Sequence, residues 1–179
     1  MLNSNDFLTM VLDSIEHHIA VIDQHGQIQF VNHSWLSYGE KNGCLTDIHW
    51  HTVNYLKVCQ DAAANGDEFG LAASHGIEQM ISGQIDHFEL EYPCHSEDEY
   101  RWFMMQVSRS MLAQTPYFII IHQDISSRKR AEDQALELAR LDGLTNIANR
   151  RRFDEFINDE WNRCKRLMLP LSLLMIDID

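Results

Sequence analysis

Apolar residues recur at helical spacing near the start of the chain, at Phe7, Leu8, Val11, Leu12 and Ile15, with Ser4 or Asn5 available as N-cap. This predicts an amphipathic helix within residues 1–18. The period then changes. In IAVIDQHGQIQFVN two short β-branched runs flank Gln24, His25 and Gly26, which predicts a hairpin with strands at 19–23 and 27–31. From Asn32 to Gly83 turn signals such as Lys41-Asn42-Gly43 and Asn65-Gly66-Asp67 alternate with helical patterns, notably VNYLKVCQDAAAN and GLAASHGIEQMIS. Strands return in HFELEYPCH, YRWFMMQVSRSML and YFIIIHQDI, with gaps short enough for antiparallel pairing. The order of two strands, helices and three strands predicts an α+β fold over 19–125. Its five-stranded antiparallel sheet has helices on one face and can enclose a cavity.

After Ile125 the chain turns to good helix formers, SSRKRAEDQALELARLDG, with apolar Ala131, Ala135 and Leu138 on one side. A linker helix over 126–141 with coiled-coil potential is predicted. Further on, RRRFDEFINDEWNRCKRLMLP puts Phe153, Phe156, Ile157 and Trp161 on one helical face, and Pro170 precedes an apolar strand, LSLLMIDID. One helix and one all-apolar strand cannot bury their shared face alone, so 142–179 reads as the incomplete start of another α/β domain.

Composition narrows the partners. With 27 acidic against 14 basic residues the formal charge is -13, which repels phosphate backbones and anionic headgroups, so no nucleic-acid partner is expected. The basic triplets Arg128-Lys129-Arg130 and Arg150-Arg151-Arg152 both have acidic residues close by. No apolar run approaches the roughly 18 to 20 residues of a membrane span, and the N-terminus lacks a basic start followed by an apolar stretch, so a cytoplasmic location is expected. Cys44, Cys59, Cys94 and Cys164 show no C-x-x-C spacing and are expected to be free thiols.

Two stretches resemble known families. SIEHHIAVIDQHGQIQFVNHSWLSY is similar to the first hairpin and following helix of PAS sensor domains, and YPCHSEDEYRWFMMQVSR with IIIHQDISSRKRAE resembles their last strands and exit. Asp124-Ile125-Ser126 resembles the D-I-T signature at which PAS domains pass into a signalling helix, which marks Asp124 and Ile125 as signal-relay candidates. LARLDGLTNIANRRRF followed by PLSLLMIDID resembles the opening of GGDEF diguanylate cyclase domains, D-x-L-T-G-L-x-N-R-R. Asp142, Leu144, Thr145, Asn149, Arg150 and Arg151 match that pattern; Asn146 and Ile147 depart from its Gly-Leu.

The second resemblance implies an enzyme family that makes cyclic di-GMP from two GTP with Mg2+. It implies Asp177 and the carbonyl of Ile178 as metal ligands, because a hard cation on triphosphate oxygens takes carboxylate and carbonyl donors. The GGDEF loop would lie past residue 179, so the metal site is incomplete, no catalytic residue is assigned, and the chain by itself is expected to lack cyclase activity. The reading is a PAS sensory module of a diguanylate cyclase. The alternative is a PAS dimerisation or partner-binding module without a small ligand. A homodimer through the PAS domain, the N-terminal helix and the linker helix is expected.

Candidates for a PAS ligand pocket are His49, His51, Tyr55, Cys59 and Trp102. Haem iron takes an axial His, which draws attention to His49-Trp50-His51, although loop histidines are commoner than haem ligands. Light-sensing flavin relatives carry a reactive Cys in G-x-N-C-R-F-L, and TVNYLKVC has Tyr55 at that place, which argues against a flavin adduct. Cys59, one helical turn on, can face the pocket as an inert thiol. Alternation puts Trp102 and Met104 on one face of their strand and Phe103 and Met105 on the other. His17, His18, His33, His75, His87, His95 and His122 lack metal-ligand spacing and are expected at the surface. Glu89 and Glu91 face one way with no nucleophile near, as a solvated edge does.

Overall fold

The structure is a computed structural model that describes residues 4–42, 48–95, 99–145 and 147–176. It falls into two units, Met1–Ser127 and Arg128–Asp179. The first contains α1 (Ser4–Asp13), β1 (His18–Asp23), β2 (Ile28–Val31), α2 (His33–Lys41), a 3-10 turn (Trp50–Thr52), α3 (Tyr55–Ala64), α4 (Glu68–Ser82), β3 (His87–Pro93), β4 (Trp102–Leu112) and β5 (Thr115–Asp124). The strands form one antiparallel sheet in the order β2-β1-β5-β4-β3. The α+β class, the five strands and the helical middle agree with the sequence pattern.

The sheet's inner face follows from strand parity. Ala20 and Ile22 of β1, Phe103, Met105 and Val107 of β4, and Phe118, Ile120 and His122 of β5 are buried. Ile77 and Met80 of α4 and Cys59 of α3 close over much of that face. At roughly 2 kcal/mol for each large apolar side chain removed from water, this layer dominates the stability of the unit.

The N-terminal helix stops at Asp13, well short of residue 18, and the cause is non-local. The Asn32 amide, fully buried, donates to the carbonyls of Leu12 (3.1 Å), Ile15 (3.3 Å) and His17 (2.9 Å), and Ser34 Oγ donates to that of Glu16 (2.6 Å). Asn32 Oδ1 accepts from the N–H of Ile19 (2.9 Å) and caps α2 by accepting from Trp35 N–H (3.1 Å). One side chain thus ends the first segment, starts β1 and starts α2. The β1–β2 hairpin turns at Gly26, whose φ of +80° suits glycine. Its tip is tied to α3, because Tyr55 N–H donates to Gly26 O (2.8 Å) and Asn54 Nδ2 to His25 O (2.7 Å).

β4 and β5 are joined by a two-residue turn between the paired Leu112 and Thr115. Ala113 and Gln114 both adopt positive φ, 47° and 67°, which a side chain makes costly. Replacing this pair by Asn-Gly should stabilise the domain by about 1 kcal/mol. The check is a higher urea midpoint at unchanged denaturant slope; a midpoint that stays or falls would contradict it.

The second unit holds α6 (Arg150–Leu167) and the last turns of α5 (Ser126–Leu138), which begins at the end of the first unit. The matched motif residues build the local structure here. Asp142 Oδ1 accepts from Leu144 N–H (3.2 Å), Thr145 N–H (3.0 Å) and Thr145 Oγ1 (2.8 Å), and these bonds hold its carboxyl below its ordinary value. Asn149 caps α6 by accepting from Arg152 N–H (3.0 Å) while its amide donates to Ala139 O (2.8 Å). Phe153, Phe156 and Trp161 on α6 are exposed. Residues 171–176, predicted as a strand, pair with no strand among the described residues; a strand needs a neighbour's N–H and C=O groups. No helix of the described residues is long and apolar enough to cross a membrane.

Candidate functional site

The centre of the site is His122. Residues 118, 120 and 122 of β5 share the inner face, so alternation carries this imidazole into the core beside Ile120 and Phe118. It is 7% exposed, which corrects the expectation of a surface histidine. Its Nε2 lies 3.0 Å from the Tyr55 hydroxyl and its Nδ1 2.7 Å from the Tyr92 hydroxyl. Tyr55 is placed by the Asn54 cap of α3, and Tyr92 by β3, whose parity sends Phe88, Leu90 and Tyr92 inward.

The chemistry follows from counting protons. Neutral imidazole carries one N–H and the two phenols carry two O–H, so the two hydrogen bonds use two of three protons. In one tautomer Tyr92 donates to Nδ1, Nε2–H donates to Tyr55, and the Tyr55 proton is left over beside Cys59. In the other, Tyr55 donates to Nε2, Nδ1–H donates to Tyr92, and the Tyr92 proton is left for the adjoining cavity. The group is a polar relay with two proton arrangements, set in an apolar wall.

Burial fixes the charge state. Desolvation pushes His122 down to about 3, with nearby His18 adding to the effect, so the imidazole is neutral at physiological pH. The Tyr55 and Tyr92 phenols are pushed well above their ordinary value, chiefly by burial. Burial also lifts the Cys59 thiol to about 11, which leaves it protonated and unreactive. His18, paired with His122 across β1 and β5, is lowered by burial and is half-buried, a second departure from the surface expectation.

Tyr55, Tyr92 and His122 separate two cavities. One, of about 160 Å³, runs between α3, α4 and the sheet past Cys59, Phe69, Leu90 and Met105. The other, of about 250 Å³, is walled by Trp35, Tyr38 and Trp50 together with His18. Of the pocket residues named from sequence, Tyr55 lines both cavities and Cys59 lines the first. His49 and His51 line neither, because the 3-10 turn sends Trp50 inward between them and leaves them against Phe30, Val31 and Leu36. Trp102 lines neither as well: Phe103 and Met105 hold the inner parity, so Trp102 stands on the opposite face. Asp177 and Ile178 lie outside the described residues, and among those described no group of three or more His, Cys, Asp or Glu is placed to hold a metal ion. Cys59, Cys94 and Cys164 are free thiols, and Cys44 lies outside the described residues.

The pocket wall is close to the exit of the domain. Two residues after His122, Asp124 Oδ1 accepts from Ser126 N–H (2.8 Å) at the start of α5. Ser126 Oγ accepts from Trp102 N–H (2.9 Å), and Ile125 N–H donates to Trp102 O (2.8 Å). Ile125 and Ser126 are buried. The Asp-Ile-Ser triplet is thus a clasp between the ends of β4 and β5 and the first turn of α5.

A five-stranded antiparallel sheet in the order 2-1-5-4-3, with its helices inserted between the second and third strands, matches an RNA-binding light-oxygen-voltage receptor. The TM-score is 0.52 at 17% identity, over 79% of this chain and 39% of that one. The first unit is a PAS-fold domain. The PAS domain of an HTR-like protein from Haloarcula marismortui is also similar, with a TM-score of 0.43 at 18% identity over 68% of this chain and 92% of that one. Residues 139–179, after the PAS domain, match the diguanylate cyclase GGDEF domain in part. An uncharacterized 104.1 kDa protein in the hypE 3'region of Rhodobacter capsulatus is 35% identical over 100 residues. The match covers 55% of this chain and only 10% of that relative.

Proposed function

We propose that this chain is the sensory and signal-transducing PAS module of a diguanylate cyclase, acting in cyclic di-GMP signalling. The observation that carries this reading is the spacing on β5: His122 in the pocket wall and Asp124 in the clasp on α5 are two residues apart. A ligand that changes the proton arrangement or packing at His122 acts on the strand that ends in that clasp. The helix beyond it leads to the stretch that matches the GGDEF domain. Such coupling requires only that the ligand bind two arrangements of the strand end with different affinity.

Joining residues 1–141 to a complete diguanylate cyclase domain tests the relay. His122→Gln should shift the rate of cyclic di-GMP formation, and adding Asp124→Ala to both proteins should abolish the difference between the parent and the His122→Gln variant. Equal regulation with and without the Asp124 carboxylate would sink the relay.

A second reading is favoured by α1. Its Phe7, Leu8 and Met10 are 47%, 58% and 56% exposed, an apolar surface suited to a second copy of the chain. The module would then act by dimerisation or partner binding without a small ligand. Native mass spectrometry separates the two: a retained small molecule favours the sensor, and an empty dimer favours the second reading.

A further inference from the structure

The larger cavity has walls of a distinctive kind. Five aromatic rings, Trp35, Tyr38, Trp50, Tyr55 and Tyr92, surround it with His18 and His122, and no carboxylate, lysine or arginine lines it among the described residues. An anionic ligand would find no lysine or arginine among the described lining residues, and the formal charge of -13 repels it on approach. A primary ammonium or guanidinium would bring several N–H donors to a wall with few acceptors, since the Tyr55 and Tyr92 hydroxyls each already share one hydrogen bond with His122.

Ring geometry narrows the shape. Trp35 meets Trp50 at 5.8 Å and 87°, Tyr55 at 6.0 Å and 60°, and His122 at 5.6 Å and 52°. These are the corners of a rounded box. His18 and Tyr38 close another corner by direct contact, at 4.4 Å and 35°.

We infer that this aromatic chamber binds a small quaternary ammonium compound, its rounded cationic head held among Trp35, Trp50, Tyr55 and Tyr92. Such a head has no N–H to satisfy, takes its charge stabilisation from ring quadrupoles, and is drawn in by an acidic protein. Tyr38 contributes least, since its ring already faces the Arg101 guanidinium at 5.4 Å and its hydroxyl is bonded to Cys94 Sγ at 3.2 Å. In the arrangement that leaves the Tyr92 proton free, that proton offers a hydrogen bond to an oxygen on the ligand's tail. The inference deepens the sensory reading and rests on it for its purpose, while its chemistry stands on the chamber alone.

The test titrates the full chain with choline, and separately with its carbon isostere, in which a quaternary carbon replaces the nitrogen. Binding is read by calorimetry and by tryptophan fluorescence. Saturable choline binding is expected, at least about tenfold tighter than the isostere. Trp50→Leu should lose at least about tenfold in choline affinity, and Trp50→Phe less, with near-native circular dichroism in both. Equal or tighter binding of the neutral isostere overturns the inference, as does the absence of choline binding by the folded chain. A neutral compound retained in the chamber on purification also overturns it but leaves the sensory reading intact. Choline binding that leaves a fused cyclase unaffected upholds the inference and counts against the sensory reading.

Discussion

Asn32→Ala is expected to destabilise the PAS domain by about 3 to 5 kcal/mol, the largest effect of any single side chain described above. The residue is fully buried and makes five hydrogen bonds to backbone groups from three segments. Removing it takes the side-chain partner from the N–H groups of Ile19 and Trp35 and from the carbonyls of Ile15 and His17, leaves Leu12 O only its bond from Ile15 N–H, and strips α2 of its cap. Each orphaned buried group costs roughly 1 to 3 kcal/mol, and relaxation of the α1–β1 connection recovers part of the sum. Asn32→Asp should be no milder, because a carboxylate keeps the two accepting bonds but turns negative charge on three carbonyl oxygens. Urea denaturation followed by near-ultraviolet circular dichroism gives the number. A loss below about 1 kcal/mol would mean that the hub does not hold these segments together.

The second large effect is a dependence on pH. His122 binds its proton at about 3 in the folded domain and near 6.5 once unfolded. Between those values the unfolded chain carries a proton that the folded one lacks. The stability contributed by the neutral histidine is therefore fully present above pH 6.5 and is lost as pH falls toward 3, at roughly 1 kcal/mol per pH unit in mid-window. His18, also lowered by burial, acts in the same direction. His122→Gln keeps a donor and an acceptor between the two phenols but cannot titrate. It should flatten the decline in melting temperature expected of the parent between pH 6 and 4. Parallel curves would place the His122 titration near its ordinary value and contradict the buried neutral relay.

Much of the fold could be read from local pattern because its strands carry their own signals. β-branched and aromatic runs with turn residues between them located β1 to β5 to within a few residues, and periodicity located α3 and α4. The length of α1 could not be read in this way. Its apolar spacing continues to Ile15, and the helix stops earlier because Asn32, about 20 residues on, competes for its terminal carbonyls.

The site shows a similar division. The exit triplet Asp124-Ile125-Ser126 and Tyr55 were both picked out from sequence. On sequence, His122 is grouped with the surface histidines, although the alternation Phe118-Ile120-His122 already places it on an apolar parity. A histidine in that position on a strand is a signal that could have been used. Its meaning still depends on Tyr55 and Tyr92, 67 and 30 residues distant, which only the packing of α3 over the sheet and the place of β3 two strands from β5 bring within hydrogen-bond range. The pair His49 and His51 drew attention by proximity in sequence, and the tight turn at Trp50 put the tryptophan, not the histidines, into the chamber. Trp102 was a matter of parity on a strand whose inner face had not been fixed.

The central claim is that the pocket wall and the linker helix are coupled through the end of β5. Amide hydrogen exchange over residues 128–138 of the full chain tests it most directly, in the parent, Tyr92→Phe, Asp124→Ala and the double variant. Tyr92→Phe removes one hydroxyl from the relay without touching the clasp. The account predicts that it changes exchange along α5 by several-fold, and that this change disappears once Asp124 is replaced. No change with Tyr92→Phe, or the same change in both backgrounds, would contradict it.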